Sequence, residues 1–186
     1  MLLLVGLGNP TPNSQDNRHN IGFKIIDAIN QKFGLSKQKP KFKGLLTTGT
    51  IDQEKIYAIK PLTFMNNSGI CIRELLEYFK MHVNDVIVFH DDLDIDFGKI
   101  KAKVGGSDAG HNGIASIDKF IGKEYSRVRV GIGKPDSKVS VSDYVLGNFN
   151  EDEKEKLDQL TRNIIESISI LIDKKLDLFS STVNNK

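Results

Sequence analysis

Two short apolar runs, each stopping abruptly at polar residues, constrain this chain more than any other feature. Leu2-Leu3-Leu4-Val5 breaks into Gly6-Leu7-Gly8-Asn9-Pro10, and Asp85-Val86-Ile87-Val88-Phe89 breaks into His90-Asp91-Asp92-Leu93-Asp94. Runs of this length bounded by turn residues read as strands buried on both faces. Each leaves polar side chains at its carboxyl end, where open α/β sheets bind ligands.

Helical patterns interleave with these runs. Ile21, Phe23, Ile25, Ile26, Ile29 and Phe33 recur at helical spacing and Gly34 stops them, with Arg18-His19-Asn20 leading in. Ile70, Ile72, Leu75, Leu76 and Phe79 mark a second helix that Ser68 can cap, with Cys71 packed inside it. Ile114, Ile117, Phe120 and Ile121 mark a third, after the glycine-rich loop Gly105 to Gly113. Leu157, Leu160, Ile164, Ile168 and Leu171 predict one long C-terminal helix, whose acidic first turn Glu151-Asp152-Glu153 suits the helix dipole. Gly44 to Thr50 and Lys55 to Ile59, joined across Asp52-Gln53-Glu54, predict a hairpin, and Val128, Val130 and Ile132 a last strand. The expected fold is α/β: a single domain over 1–186, with a twisted, mixed, mostly parallel sheet and helices on both faces. The tail from about residue 179 is expected to be poorly ordered.

No apolar run approaches the roughly 20 residues that a membrane helix needs, and no basic segment precedes Leu2. The single cysteine excludes an internal disulfide and a cysteine metal cluster, which suits a cytoplasmic setting. The net charge of +2 is too small to point to nucleic acid by itself. Its distribution is more informative. Lys99, Lys101 and Lys103 alternate, so a strand there would carry them on one face, and Arg127, Arg129, Lys134 and Lys138 follow nearby. Much of the acidic charge falls in the C-terminal helix, leaving a cationic surface suited to phosphates.

His19 is the focus of the polar clusters, because imidazole can take and return a proton near neutrality. A histidine at the start of a helix is commonly a cap, and asparagines commonly close turns. Here, however, Asn9, Asn66, Asn112 and an aspartate at 91 or 92 recur at element ends. An aspartate that accepts from a histidine fixes its tautomer. Asparagine amides can hold a peptide and donate to an oxyanion. No Gly-x-Ser-x-Gly elbow is present and Cys71 lacks a linked histidine, so the nucleophile expected is a water activated by His19. Gly6-Leu7-Gly8 lacks the third glycine of a dinucleotide fingerprint. His90-Asp91-Asp92 with Asp94 lacks a second ligand cluster that would make a metal site.

Together these stretches resemble the bacterial peptidyl-tRNA hydrolases. The resemblance runs through Gly6-Leu7-Gly8-Asn9-Pro10, Arg18-His19-Asn20-Ile21-Gly22-Phe23, 60–69, His90-Asp91-Asp92-Leu93-Asp94, Gly110-His111-Asn112-Gly113 and Arg129-Val130-Gly131-Ile132-Gly133. It implies cleavage of the ester between peptide and tRNA, with His19 as base and Asp91, rather than Asp92, as its partner. Asn9, Asn66 and Asn112 would position substrate and water, and Met65 would line the peptide site. Lys103, Arg129 and Lys138 would contact tRNA. The family resemblance further implies a monomeric, cytoplasmic, cofactor-free enzyme without a metal. The loop 11–17 departs from the family pattern, with Ser14 where a substrate-contacting tyrosine is common and Thr11 where glycine is common. The competing reading is a non-catalytic RNA-binding module on the same scaffold, in which the polar clusters are turn chemistry.

Overall fold

Every residue of β1 (Leu2–Gly6) is buried, as a strand covered on both faces must be. The computed structural model describes residues 1–186, and β1 lies at the middle of its seven-stranded sheet, ordered β2-β3-β4-β1-β5-β7-β6. The strands are β2 (Lys39–Lys41), β3 (Gly44–Ile51), β4 (Glu54–Pro61), β5 (Val86–Asp92), β6 (Ile100–Val104) and β7 (Ser126–Gly131). Strands β4, β1, β5 and β7 run parallel, and antiparallel pairings occupy both flanks. The parallel order is thus confined to the centre. The hairpin of β3 and β4 turns at Asp52 and Gln53, both at positive φ, as a tight two-residue turn requires.

Alternation along the central strands feeds two cores. Leu2 and Leu4 join Ile87, Phe89, Val128 and Val130 in a cluster of 24 buried residues under α1 (Ile21–Lys32) and the C-terminal helices. Leu3 and Val5 join Val86 and Val88 in a cluster of 17 under α2 (Ser68–Phe79) and α3 (Asn112–Ile121). Each large apolar side chain so buried contributes about 1.5–3 kcal/mol. Register then places the chemistry. Gly6 lies beside Phe89, so Asn9 and the His90-Asp91-Asp92 stretch leave the same edge of the sheet.

Several expectations change. The C-terminal helix is broken: α5 (Glu151–Glu166) stops at buried Ser167, and α6 (Ile168–Ile172) starts afresh, which lets Ile168 and Leu171 wrap the same core. The segment from residue 179 is not a loose tail. It belongs to α7 (Leu176–Asn184), where Phe179 and Val183, one turn apart, are fully buried against β6 and its neighbours. Ser68 is not the cap of α2 either; it occupies the first turn, buried, and its hydroxyl donates to the Met65 carbonyl. Lys99 leaves the expected stripe, because its ammonium reaches back to the Asn184 carbonyl at the end of α7. The short helix α4 (Val141–Val145) and strand β2 were not legible in the sequence pattern.

Candidate active site

His19 sits in a single 3-10 turn, Arg18–Asn20, that runs directly into α1. That turn can approach the sheet because residue 22 is glycine: a Cβ there would collide with the Leu7 nitrogen and the Phe89 carbonyl. Arg18 anchors the other side. Its guanidinium stacks 4.3 Å from the centre of the Tyr144 ring and pairs with Glu153 at 3.2 Å. Its backbone N–H donates to the Gly147 carbonyl. The close-packed helix start and this anchor deliver His19 to the carboxyl end of β5.

There His19 Nδ1 lies 2.8 and 2.9 Å from the two oxygens of Asp91. Asp91 is ionised, so Nδ1 carries the proton and donates, which leaves Nε2 as the basic nitrogen. A second imidazole completes the arrangement. His111 Nε2 donates to Asp91 Oδ1 at 2.9 Å, while its Nδ1 accepts from the N–H groups of Gly113 and Ile114 and caps α3. The cap therefore fixes the tautomer that faces Asp91. Burial by itself would raise the Asp91 pKa, but charge interaction and hydrogen bonding with His111 and His19 outweigh it and hold the carboxyl well below the usual range. Asp92 is placed differently: Arg129 Nε donates to its Oδ2 at 2.8 Å. The adjacent aspartates are thus distinguishable, and Asp91 is the partner of His19.

The asparagines divide by what they bind. Asn20 clamps the Asn9 backbone, accepting from its N–H at 2.8 Å and donating to its carbonyl at 2.9 Å. Asn9 Oδ1 in turn accepts from the Met65 N–H, which leaves the Asn9 Nδ2 group for the cleft. Asn66 and Asn112 are exposed on the cleft wall, with amides that make no hydrogen bond inside the chain. The cleft itself encloses about 570 Å³, with His19, Asp91 and His111 in its wall and Phe64, Met65, Val141, Val145 and Leu146 as its apolar lining. Phe64 is held at φ 58° and is half exposed. A non-glycine residue in that conformation is strained, a feature that clusters at ligand sites.

Potential ligand atoms of His19, Asp91 and His111 lie within 4.8 Å of one another, as a metal site would require. Their orientation argues for proton chemistry, since both histidine nitrogens point at the carboxylate at hydrogen-bond distance and the remaining His111 nitrogen is engaged by α3.

A strand-borne aspartate holding a helix-start histidine in a cleft lined with asparagine amides is the arrangement the sequence motifs anticipated. The profile of the family described as peptidyl-tRNA hydrolase matches residues 3–186. The chain belongs to the peptidyl-tRNA hydrolase family. It is 75% identical to the peptidyl-tRNA hydrolase of Pelagibacter ubique over 186 residues, covering all of both chains. It is 47% identical to that of Bartonella quintana over 184 residues, 99% of this chain and 95% of the relative. The crystal structure of the Acinetobacter baumannii peptidyl-tRNA hydrolase superposes with a TM-score of 0.92 at 32% identity, covering 99% of this chain and 94% of that one.

Within this peptidyl-tRNA hydrolase fold, Asn9, His19, Met65, Asn66, Asp91 and Asn112 meet in the one cleft. Ser14 does not join them: it is buried in its own turn, where its hydroxyl bonds to that of Thr11. The expected substrate contact by Ser14 is therefore corrected, because a side chain closed on its own loop presents nothing to the cleft. Lys103 and Arg129 lie on one face of the β6–β7 pair, and Lys138 on the exposed loop beyond β7. His111 was missed as a functional residue. Its signal was present in the sequence, as the position immediately before the helix in Gly110-His111-Asn112-Gly113.

Proposed function

We propose that this chain hydrolyses the ester joining a peptide, or an N-blocked aminoacyl group, to tRNA, with His19 as general base. The observation that carries the reading is the Nδ1 hydrogen bond from His19 to buried Asp91, which leaves Nε2 free toward the cleft. Nε2 takes a proton from water as the water oxygen attacks the ester carbonyl. Asp91 stabilises the imidazolium that forms. The tetrahedral intermediate then expels the ribose oxygen, which takes the proton from Nε2 and restores the base.

Amides of Asn9, Asn66 and Asn112 are suited to donating to the peptide and to the developing oxyanion. The apolar lining around Met65 and Phe64 suits side chains of the peptide, and Lys103, Arg129 and Lys138 suit tRNA phosphates. A ribose hydroxyl is a better leaving group than an amine, so the reaction needs no covalent enzyme intermediate. The enzyme's role in this reading is to return tRNA to use from prematurely released peptidyl-tRNA.

The test is release of tRNA from N-blocked aminoacyl-tRNA with chelator present, comparing the parent protein with His19→Ala. Release that survives the chelator and is lost in a folded variant that still binds tRNA supports the reading. A folded parent that binds tRNA and releases nothing would return the chain to the class of RNA-binding modules.

A further inference from the structure

Arg127 is a buried cation without a counter-ion. Its side chain leaves β7 on the face shared with Lys103, its direct cross-strand neighbour on β6. It is 2% exposed, forms hydrogen bonds only to the carbonyls of Ser107, at 2.9 Å, and Gly105, and leaves Nε with no acceptor. Acidic groups on the adjoining loop and helix are engaged elsewhere: Asp108 accepts from the Gly110 N–H and Asp118 from the Tyr125 hydroxyl. Arg129, by contrast, has its carboxylate in Asp92. Buried charges are ordinarily paired, so an unpaired guanidinium calls for a function.

Lys103 sits close by and has no ion pair of its own. A Cβ on exposed Gly106 would collide with both the Lys103 ammonium and the Arg127 guanidinium, so two cations flank that one glycine. Residue 106 has φ 107°, a conformation that favours glycine. An RNA phosphate approaching Gly106 meets open backbone and two positive groups at once.

The same guanidinium holds the catalytic loop. Arg127 supplies the only side-chain hydrogen bonds reaching residues 105–110 from outside that loop. The loop continues through the Asp108 carbonyl, which accepts from the His111 N–H at 2.8 Å, to His111 on Asp91 and Asn112 in the cleft.

We propose that Arg127 is a positioning residue that couples tRNA-phosphate recognition to catalysis. With Lys103 it forms a two-cation seat beside Gly106 for one phosphate, and through the carbonyls of Gly105 and Ser107 it sets the loop that aims His111 and Asn112. The proposal rests on the reading of Lys103 as a phosphate contact.

The experiment measures kcat, KM and the slope of log(kcat/KM) against log salt for the parent, Lys103→Ala, Arg127→Met and Arg127→Lys, with thermal unfolding of each. Arg127→Met is expected to lower kcat by roughly tenfold or more through the displaced loop and to make the salt slope shallower by about one. Arg127→Lys keeps the charge without the two-pronged donor, so the parental slope with a lowered kcat is expected. A lowered kcat with an unchanged slope in Arg127→Met would make the residue a structural latch only, and an unchanged kcat would remove its hold on the loop. If Arg127→Met does not fold, Arg127→Lys decides: parental kcat or a changed slope overturns the proposal. An unchanged slope in Lys103→Ala overturns the phosphate surface itself, whereas a slope that shifts there and not in Arg127→Met overturns only the role given to Arg127.

Discussion

Asp91 Oδ2 lies 2.8 Å from His19 Nδ1, joining the end of a central strand to the start of a helix 72 residues earlier in the chain. Replacing Asp91 with Asn keeps the shape but puts an amide, part donor, where two imidazole N–H groups converge. One histidine must then turn or change tautomer, and His19 loses the charge that stabilises its protonated form. Asp91→Asn is expected to lower kcat by about 10²–10⁴-fold with a small change in KM, read in single-turnover ester cleavage. A kcat near parental would show that His19 needs no carboxylate.

His111 makes two separable contributions, to the α3 cap and to Asp91. Asn is a good cap but too short to reach Asp91 from the same backbone, whereas Ala loses both. His111→Asn should therefore lose activity, roughly tenfold, with little loss of stability, and His111→Ala should lose a further ~1 kcal/mol of stability. Urea unfolding beside kcat separates the two. If both variants lose stability equally and activity not at all, His111 is a cap alone.

How much of this was legible in the sequence depends on whether a residue's role is local. His19, Asp91 and the three asparagines were readable because each ends a periodic element, and strand ends in a parallel sheet converge. The choice of Asp91 over Asp92 rested on resemblance, since only the fold brings Arg129 beside Asp92. The continuous helix through 157–171 failed because apolar spacing persists across Ser167 while the backbone changes direction there. Strand β2, Lys39-Pro40-Lys41, has no apolar alternation to read and exists only through its pairing with β3. Lysine and proline on such an edge also discourage further strand addition.

The last helix should be needed for stability. Phe179 is fully buried, and Asn184 bonds both the N–H and the carbonyl of Ile100, tying α7 to the edge strand that carries Lys103. Phe179→Ala is expected to cost about 3–5 kcal/mol in denaturant unfolding, as for other large-to-small core changes. A loss under about 0.5 kcal/mol, typical of exposed positions, would restore the reading of a loose tail.

His90 predicts a distinctive acid response. Its ring is buried between Asp91 and the edge of His111, 5.1 Å between ring centres, and Nδ1 donates to the Asp91 carbonyl. Burial, and then the nearby His111 charge, push its pKa down to about 3, against weaker opposing effects of the Asp91 backbone hydrogen bond and the Asp91 and Asp92 charges. Above the unfolded histidine pKa, near 6.5, the residue is neutral in both states and imposes no penalty. As pH falls from about 6.5 toward 3, the unfolded chain takes up a proton at His90 that the folded chain refuses. Stability drops with a slope approaching about 1.4 kcal/mol per pH unit from this residue, and the loss levels off below its folded pKa. His90→Leu removes the group that titrates, so its unfolding free energy should fall less steeply than the parent's across that window, whatever its value at pH 7. Parallel pH profiles for the two proteins would mean that His90 is protonated alike in the folded and unfolded chains.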